Sequence, residues 1–173
     1  ILKRLGKNGK LFAFDQDPDA LANVIDDERF VLIPENFRYI SRFLRFHRIK
    51  KVDGILADLG VSSQQFDEAE RGFSTRFEGD LDMRMNQRSK ISAKEVVNTY
   101  SEEKLADILF MYGEIRNSKN VAKTIVEERE KQKIETSFQL KTILKKYLPN
   151  ALEHKILAQI FQAIRIEVNE ELE

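Results

Sequence analysis

The chain has 173 residues, 42% of them hydrophobic, with 29 basic and 29 acidic side chains and no cysteine. That is enough for one domain, or one with a modest insertion, around a real core; it excludes disulfides and thiolate metal sites. No apolar run reaches the roughly 20 residues of a membrane span.

No signal peptide is visible, so a soluble cytoplasmic protein is the expectation. The zero net charge argues against indiscriminate coating of a polyanion, although phosphates respond to the local field and not to the sum. The chain opens at Ile1, and residues 1–6 read as the end of a helix capped by Gly6. Residues 10–14 form a short apolar run, a first strand. Asp17 then suits an N-cap and Pro18 a first helical turn, for a helix through Ala20, Leu21, Val24 and Ile25. Residues 30–33 form a second strand. Residues 39–49 read as a helix with Ile40, Phe43, Leu44 and His47 on one face. Residues 52–59 form a third strand ending in Asp58-Leu59-Gly60. Strands alternating with helices imply a parallel sheet with right-handed crossovers.

Residues 61–89 lack a sustained period, which predicts a long loop or short irregular elements. From Ser92 onward the pattern is helical. Ser92 with Glu95, and Thr136 with Gln139, are capping boxes. Three apolar stripes follow: Leu105, Ile108, Leu109 and Tyr112, closed by Gly113; Val121, Ala122, Ile125 and Val126; and Leu140, Ile143, Leu144, Tyr147 and Leu148, stopped by Pro149. A last helix starts near Leu152 and runs to the end. The fold class is therefore α/β: a partial Rossmann-like sheet over residues 1–91, a helical insertion over 92–150, and a helix returning to the first domain over 151–173.

Ligands of such sheets bind beyond the carboxyl ends of the strands, where Asp15 and Asp58 sit. Asp15 could accept hydrogen bonds from ribose hydroxyls, or simply start the next helix. Asp58, followed by Gly60-Val61-Ser62-Ser63, is a site carboxylate or part of a strand-end turn. Phe73 and Phe77 lie among Arg71, Arg76 and Arg84, which suits stacking of an unpaired base or packing of the loop on itself. Met83 and Met85 read as packing. Arg38, Arg42, Arg45, Arg48, Lys50 and Lys51 form a run without an acid, a phosphate guide or a solvated face. On the last helix, Gln159, Gln162, Arg165 and Asn169 share one side, either facing solvent or making directed hydrogen bonds.

Several motifs are long and specific. Asp53-Gly54-Ile55-Leu56-Ala57-Asp58-Leu59-Gly60-Val61-Ser62-Ser63, then Glu70-Arg71-Gly72-Phe73-Ser74, then Gly79-Asp80-Leu81-Asp82-Met83-Arg84-Met85 closely resemble the bacterial 16S rRNA (cytosine-N4) methyltransferase family. Tyr112-Gly113-Glu114 and Phe161-Gln162-Ala163-Ile164-Arg165-Ile166-Glu167-Val168-Asn169 are similar to it too. The resemblance implies a class I S-adenosylmethionine-dependent methyltransferase sheet interrupted by a helical substrate-recognition domain. It implies cofactor contacts at Asp15, Phe37, Asp58 and Gln65, with Asp15 on the ribose and Phe37 near the adenine, and 16S rRNA in the small ribosomal subunit as partner. Three departures stand out: Gln64 where the family has Pro, His154-Lys155-Ile156 where it has His-Pro-Ala, and no glycine-rich first strand or last strands. Both ends are therefore expected to continue, with an apolar strand and a Gly-rich turn upstream, and residues 1–173 alone are expected to bind the cofactor poorly.

Asp58 is the candidate catalytic acceptor, and Arg71, Phe73, Arg84, Arg165 and Asn169 are candidate substrate contacts. Methylation at carbon 5 of a pyrimidine normally needs a cysteine nucleophile, which this chain lacks. No metal and no membrane are expected, and a homodimer is left open. The rival readings are a methyltransferase of DNA or protein, and a non-catalytic helical RNA-binding module.

Overall fold

The structure, a computed structural model, describes residues 1–172, apart from the side chain of Gln64. The chain forms two compact units: Ile1–Leu59 with Met85–Gln87, and Gly60–Arg84 with Arg88–Glu173.

The first unit is built on two parallel strands, β1 (Leu11–Phe14) and β2 (Phe30–Ile33), with Leu11 opposite Phe30 and Phe14 opposite Ile33. Asp17 caps the segment that follows β1, its carboxylate accepting from the Asp19 amide, with Pro18 at the first position. The expected helix through Val24 and Ile25 is instead a 3₁₀ turn, Pro18–Asn23, and Leu21, Val24 and Ile25 are exposed. A short segment with no surface to pack against does not recover the cost of nucleating an α-helix.

After β2, the Asn36 side chain accepts from the Arg38 amide and starts a 3₁₀ turn, Phe37–Tyr39, which leads into α1 (Ile40–Phe46). The expected face of α1 meets β1: Phe43 lies 6.1 Å from Phe14 and His47 5.2 Å from Phe12, ring to ring. The helix ends with Arg48 in the left-handed region (φ 61°), the Ile49 amide bonding back to the Leu44 carbonyl at 2.8 Å. That closure satisfies a carbonyl the helix end would otherwise leave open.

Two sequence expectations fail here. Residues 1–6 hold only a 3₁₀ turn, Leu2–Arg4, capped at Leu5 and not at Gly6. Residues 52–59 are not a strand, and Ile55 and Leu56 are 74% and 78% exposed. A strand exists only through a ladder with a neighbour, and no described segment pairs with this one. The sheet among the described residues is thus the parallel pair β1–β2.

The second unit holds α2 (Ser63–Asp67), α3 (Ala93–Thr99), α4 (Glu102–Met111), α5 (Ser118–Lys131), α6 (Ser137–Leu144) and α7 (Glu153–Asn169). Both expected capping boxes form, at Ser92 with Glu95 and at Thr136 with Gln139. The apolar stripes become the core: Leu105, Ile108, Leu109, Ile125, Leu140, Leu144, Leu157, Ile160 and Ile164 are fully buried. A side chain at Gly113 would meet the Gln159 carbonyl at 2.8 Å, so glycine allows α4 and α7 their close approach. The last helix stops at Asn169, where Glu170 turns left-handed (φ 49°), instead of running on; Glu173 lies outside the described residues.

The irregular segment before α3 is pinned at several points. Asp80 pairs with Thr136 in an isolated antiparallel bridge. The Leu81 and Asp82 carbonyls accept from the first amides of α3, Lys94 and Ala93, each at 2.7 Å. Ser137 at the start of α6 donates to the Phe77 carbonyl and accepts from the Gly79 amide. Leu81 and Met83 are fully buried, so residues 77–84 pack as part of the helical unit.

Candidate functional site

In the first unit, β1 delivers Asp15 at its carboxyl end. The Asp15 amide still donates to the Ile33 carbonyl of β2 at 3.2 Å, while its exposed Oδ1 accepts from the Asp17 amide at 2.9 Å. Its Oδ2 has no hydrogen-bond partner among the described residues and remains available to a ligand donor. Phe37 opens the 3₁₀ turn that follows β2, with 46% of the residue exposed. Asp58 is exposed on the extended segment. An exposed carboxylate and an exposed aromatic residue, one just beyond each of two adjacent parallel strands, have the chemistry a nucleoside needs: an acceptor for hydroxyls and a flat apolar face.

In the second unit, Gln65 is buried and internally engaged. Its Oε1 accepts from the Ser62 amide at 3.0 Å, and its own amide donates to Ser62 Oγ at 3.2 Å. This reciprocal pair is a capping box for α2. The Ser62-x-x-Gln65 signal is the same kind as Thr136 with Gln139.

Arg71, Phe73 and Arg84 meet in one loop. Gly72 takes φ 70°, and a side chain there would collide with the Asp80 carbonyl at 2.1 Å, so only glycine fits. The Arg71 guanidinium lies 5.8 Å from the centre of the Phe73 ring and donates to the Arg84 carbonyl at 3.2 Å. The Arg71 carbonyl accepts from the Met83 amide at 2.9 Å. Phe73, the candidate stacking platform, is 4% exposed and packs inside the loop; Phe77 is the exposed aromatic of this segment.

Arg84 forks onto Asp82, its Nε 2.8 Å from Oδ1 and its second terminal nitrogen 2.7 Å from Oδ2, and also donates to the Ser89 carbonyl at 2.8 Å. The fork closes around Met83, a buried residue held at φ 59°. Partial burial opposes ionisation of Asp82, but the hydrogen bonds from the Arg84 guanidinium and amide outweigh it, so its carboxyl sits below the ordinary range. Asp82 was not among the expected site residues; the Asp-Met-Arg spacing was the only signal for it.

Gln162, Arg165 and Asn169 of the polar stripe of α7 make directed bonds within the protein. Asn169 donates to the Met83 carbonyl at 2.7 Å and to the Arg165 carbonyl at 2.9 Å. Arg165 forks onto Glu171 at 2.8 and 3.1 Å, and Gln162 donates to the Tyr112 carbonyl at 3.3 Å. Asn169, Arg71, Phe73 and Arg84 therefore come together around one loop, whereas Arg165 is tied to the end of its own helix.

A family model described as the MraW methylase family matches residues 1–173. The chain is 64% identical over 173 residues to a protein of Flavobacterium johnsoniae named ribosomal RNA small subunit methyltransferase H, covering 100% of this chain and 57% of that protein. It is 63% identical to the protein of that name in Christiangramia forsetii and 56% identical to that in Bacteroides fragilis, again over the whole chain and 57% of each relative. The chain thus spans a little over half the length of the curated relatives it matches.

Proposed function

This chain belongs to the MraW methylase family, and from that premise we propose that the whole protein transfers a methyl group from S-adenosylmethionine to the N4 amine of a cytosine in 16S rRNA of the small ribosomal subunit. The observation that carries this reading is the family match over residues 1–173, joined to relatives that bear the name of small-subunit rRNA methyltransferases. The parallel pair β1–β2, with Asp15 and Phe37 just beyond its carboxyl ends, is read as part of a Rossmann-like class I sheet. The activity belongs to the cytoplasm, where ribosomal subunits are found.

Asp15 would accept from the ribose of the cofactor, Phe37 would lie along its adenine, and Asp58 would serve the same site, while Gln65 would act on the cofactor side only through the α2 turn that it caps. Bound S-adenosylmethionine supplies an electrophilic methyl group on a sulfonium. The cytosine amine is a poor nucleophile because its lone pair is delocalised into the ring, so positioning and electrostatics must do most of the catalysis. Asp58 would accept an N4–H hydrogen bond, orient the amine, and take the proton that leaves as the amine gains its methyl. The target base must leave its stack to reach such a pocket. Arg71, Phe73, Arg84, Arg165 and Asn169 would serve the substrate side chiefly by fixing the shape of the loop and the end of α7. A methyl-transfer assay with the full-length protein on small ribosomal subunits, with DNA and protein as competing substrates, tests this reading; preference for either competitor would overturn it.

A further inference from the structure

Several cations of the helical unit have an acidic partner, among them Lys94 with Asp80, Lys104 with Glu167, Lys131 with Glu128, Lys141 with Glu153 and Arg165 with Glu171. Arg116, Lys119, Lys145 and Lys146 have no ion pair among the described residues and are all exposed. They come from two stretches that contain no acid, residues 115–126 and 136–152. Tyr147 joins those stretches: its hydroxyl donates to the Asn120 carbonyl at 3.0 Å and lies 2.9 Å from Thr124 Oγ. The 3₁₀ turn Lys145–Tyr147 is thereby held against the first half of α5, beside Lys119 and Lys123.

Helix stability does not explain this sorting of charge. The exposed charges of α5 run Lys119 and Lys123, then Glu127 and Glu130, then Lys131; its first turn has no acid, and its last turn holds Arg129 and Lys131. The basic last turn suits the helix dipole, but Lys119 in the first turn opposes it. Lys123 and Glu127 do pair at 3.8 Å, but with the lysine on the N-terminal side, the weaker orientation. Nor does the surface resemble a protein interface, which needs an apolar centre. Large hydrophobic side chains are exposed at Phe110, Met111, Phe138 and Leu152, but none among residues 115–126 or 139–151, which supply the cations.

We propose that Arg116, Lys119, Lys123, Lys145 and Lys146 form a phosphate-binding surface that seats the RNA backbone and sets the orientation of the substrate without reading its sequence. Contacts of this kind position a nucleic acid and leave base recognition to another site. The proposal rests on the reading of the protein as an rRNA methyltransferase and adds where the RNA lies. Neutralising each phosphate releases counterions, so affinity for RNA through this surface falls with salt in proportion to the number of cations engaged.

The test uses the full-length protein and purified 16S RNA, with binding measured across a series of salt concentrations. The Lys119→Gln/Lys146→Gln double variant should bind more weakly, and its log–log salt slope should be shallower by about 1.4–1.8, from roughly 0.7–0.9 per phosphate contact. Its affinity for S-adenosylmethionine should stay at the wild-type value. Lys133→Gln, an exposed cation just past the far end of α5, should leave the slope unchanged. A wild-type slope in the double variant, or an equal loss in Lys133→Gln, overturns the assignment of this surface while methylation by the wild type continues. Failure of the wild type to bind or methylate 16S RNA overturns this proposal together with the function it rests on.

Discussion

Asn169 in the last turn of α7 donates its carboxamide to the backbone carbonyl of Met83 at 2.7 Å, joining positions 86 residues apart in the chain. The Met83 amide is held from the other side by the Arg71 carbonyl, so both polar groups of a left-handed peptide are fixed by side chain or backbone from elsewhere. The motif containing Arg71, the motif containing Met83 and the motif ending in Asn169 are parts of one hydrogen-bonded assembly.

Removing that carboxamide should therefore cost stability even without RNA. Asn169 is 8% exposed, and Asn169→Ala leaves the Met83 carbonyl without its donor. A loss of about 1–3 kcal/mol is expected from a buried group left unsatisfied. Urea unfolding of the full-length protein measures it; an unchanged midpoint would mean the bond is not holding the loop.

Phe73 should behave as a packing residue. Truncation of a buried phenylalanine costs about 3–5 kcal/mol, so Phe73→Ala should lower the melting temperature sharply, while Phe73→Leu keeps most of the fold. If Phe73→Ala melts with the wild type but loses RNA binding, the ring belongs to the substrate and not to the core.

Asp82 links the loop to pH. Its folded pKa lies below the unfolded value near 3.8, held there by the Arg84 hydrogen bonds against the opposing effect of burial. The stabilisation is therefore fully present above the unfolded pKa and is lost as pH falls through the lower folded one. Asp82→Asn should reduce stability at neutral pH and flatten the decline between pH 5 and the acid limit, as read by urea midpoints at a series of pH values. Parallel wild-type and variant profiles would show that the carboxylate is not coupled to folding.

Asp15 carries the cofactor assignment. A charge-assisted hydrogen bond contributes about 1.5–3 kcal/mol, so Asp15→Ala in the full-length protein should weaken S-adenosylmethionine binding roughly 10- to 150-fold. Calorimetry gives the value directly, and equal affinities would remove Asp15 from the pocket.

What could be read from the chain alone follows how local each determinant is. The strands at 11–14 and 30–33, the face of α1 and the boxes at Ser92 and Thr136 depend on neighbours within a few positions, and they formed where expected. Residues 52–59 read as a strand because they are apolar on both faces, but pairing requires a second strand alongside, which no local pattern can supply. Leu21, Val24 and Ile25 have helical spacing but nothing to pack against, and the chain there settles into a 3₁₀ turn. Phe73 allows stacking of a base or packing of its loop, and the structure has the packing, with the ring buried beside Arg71; Gln65, a ligand contact by resemblance, engages Ser62. Their partners lie only two or three residues away, so both engagements are local ones. The bond from Asn169 to Met83 is the opposite case: its residues were visible, but nothing in the chain connects them until it folds.

Nucleoside analysis of 16S RNA after incubation with the full-length protein and S-adenosylmethionine bearing a labelled methyl group decides the chemistry. The label should appear in N4-methylcytidine, and it should disappear with Asp58→Ala. Label at carbon 5 of cytosine, on another base, or absent from the RNA altogether would contradict the assignment of this family member to cytosine-N4 methylation.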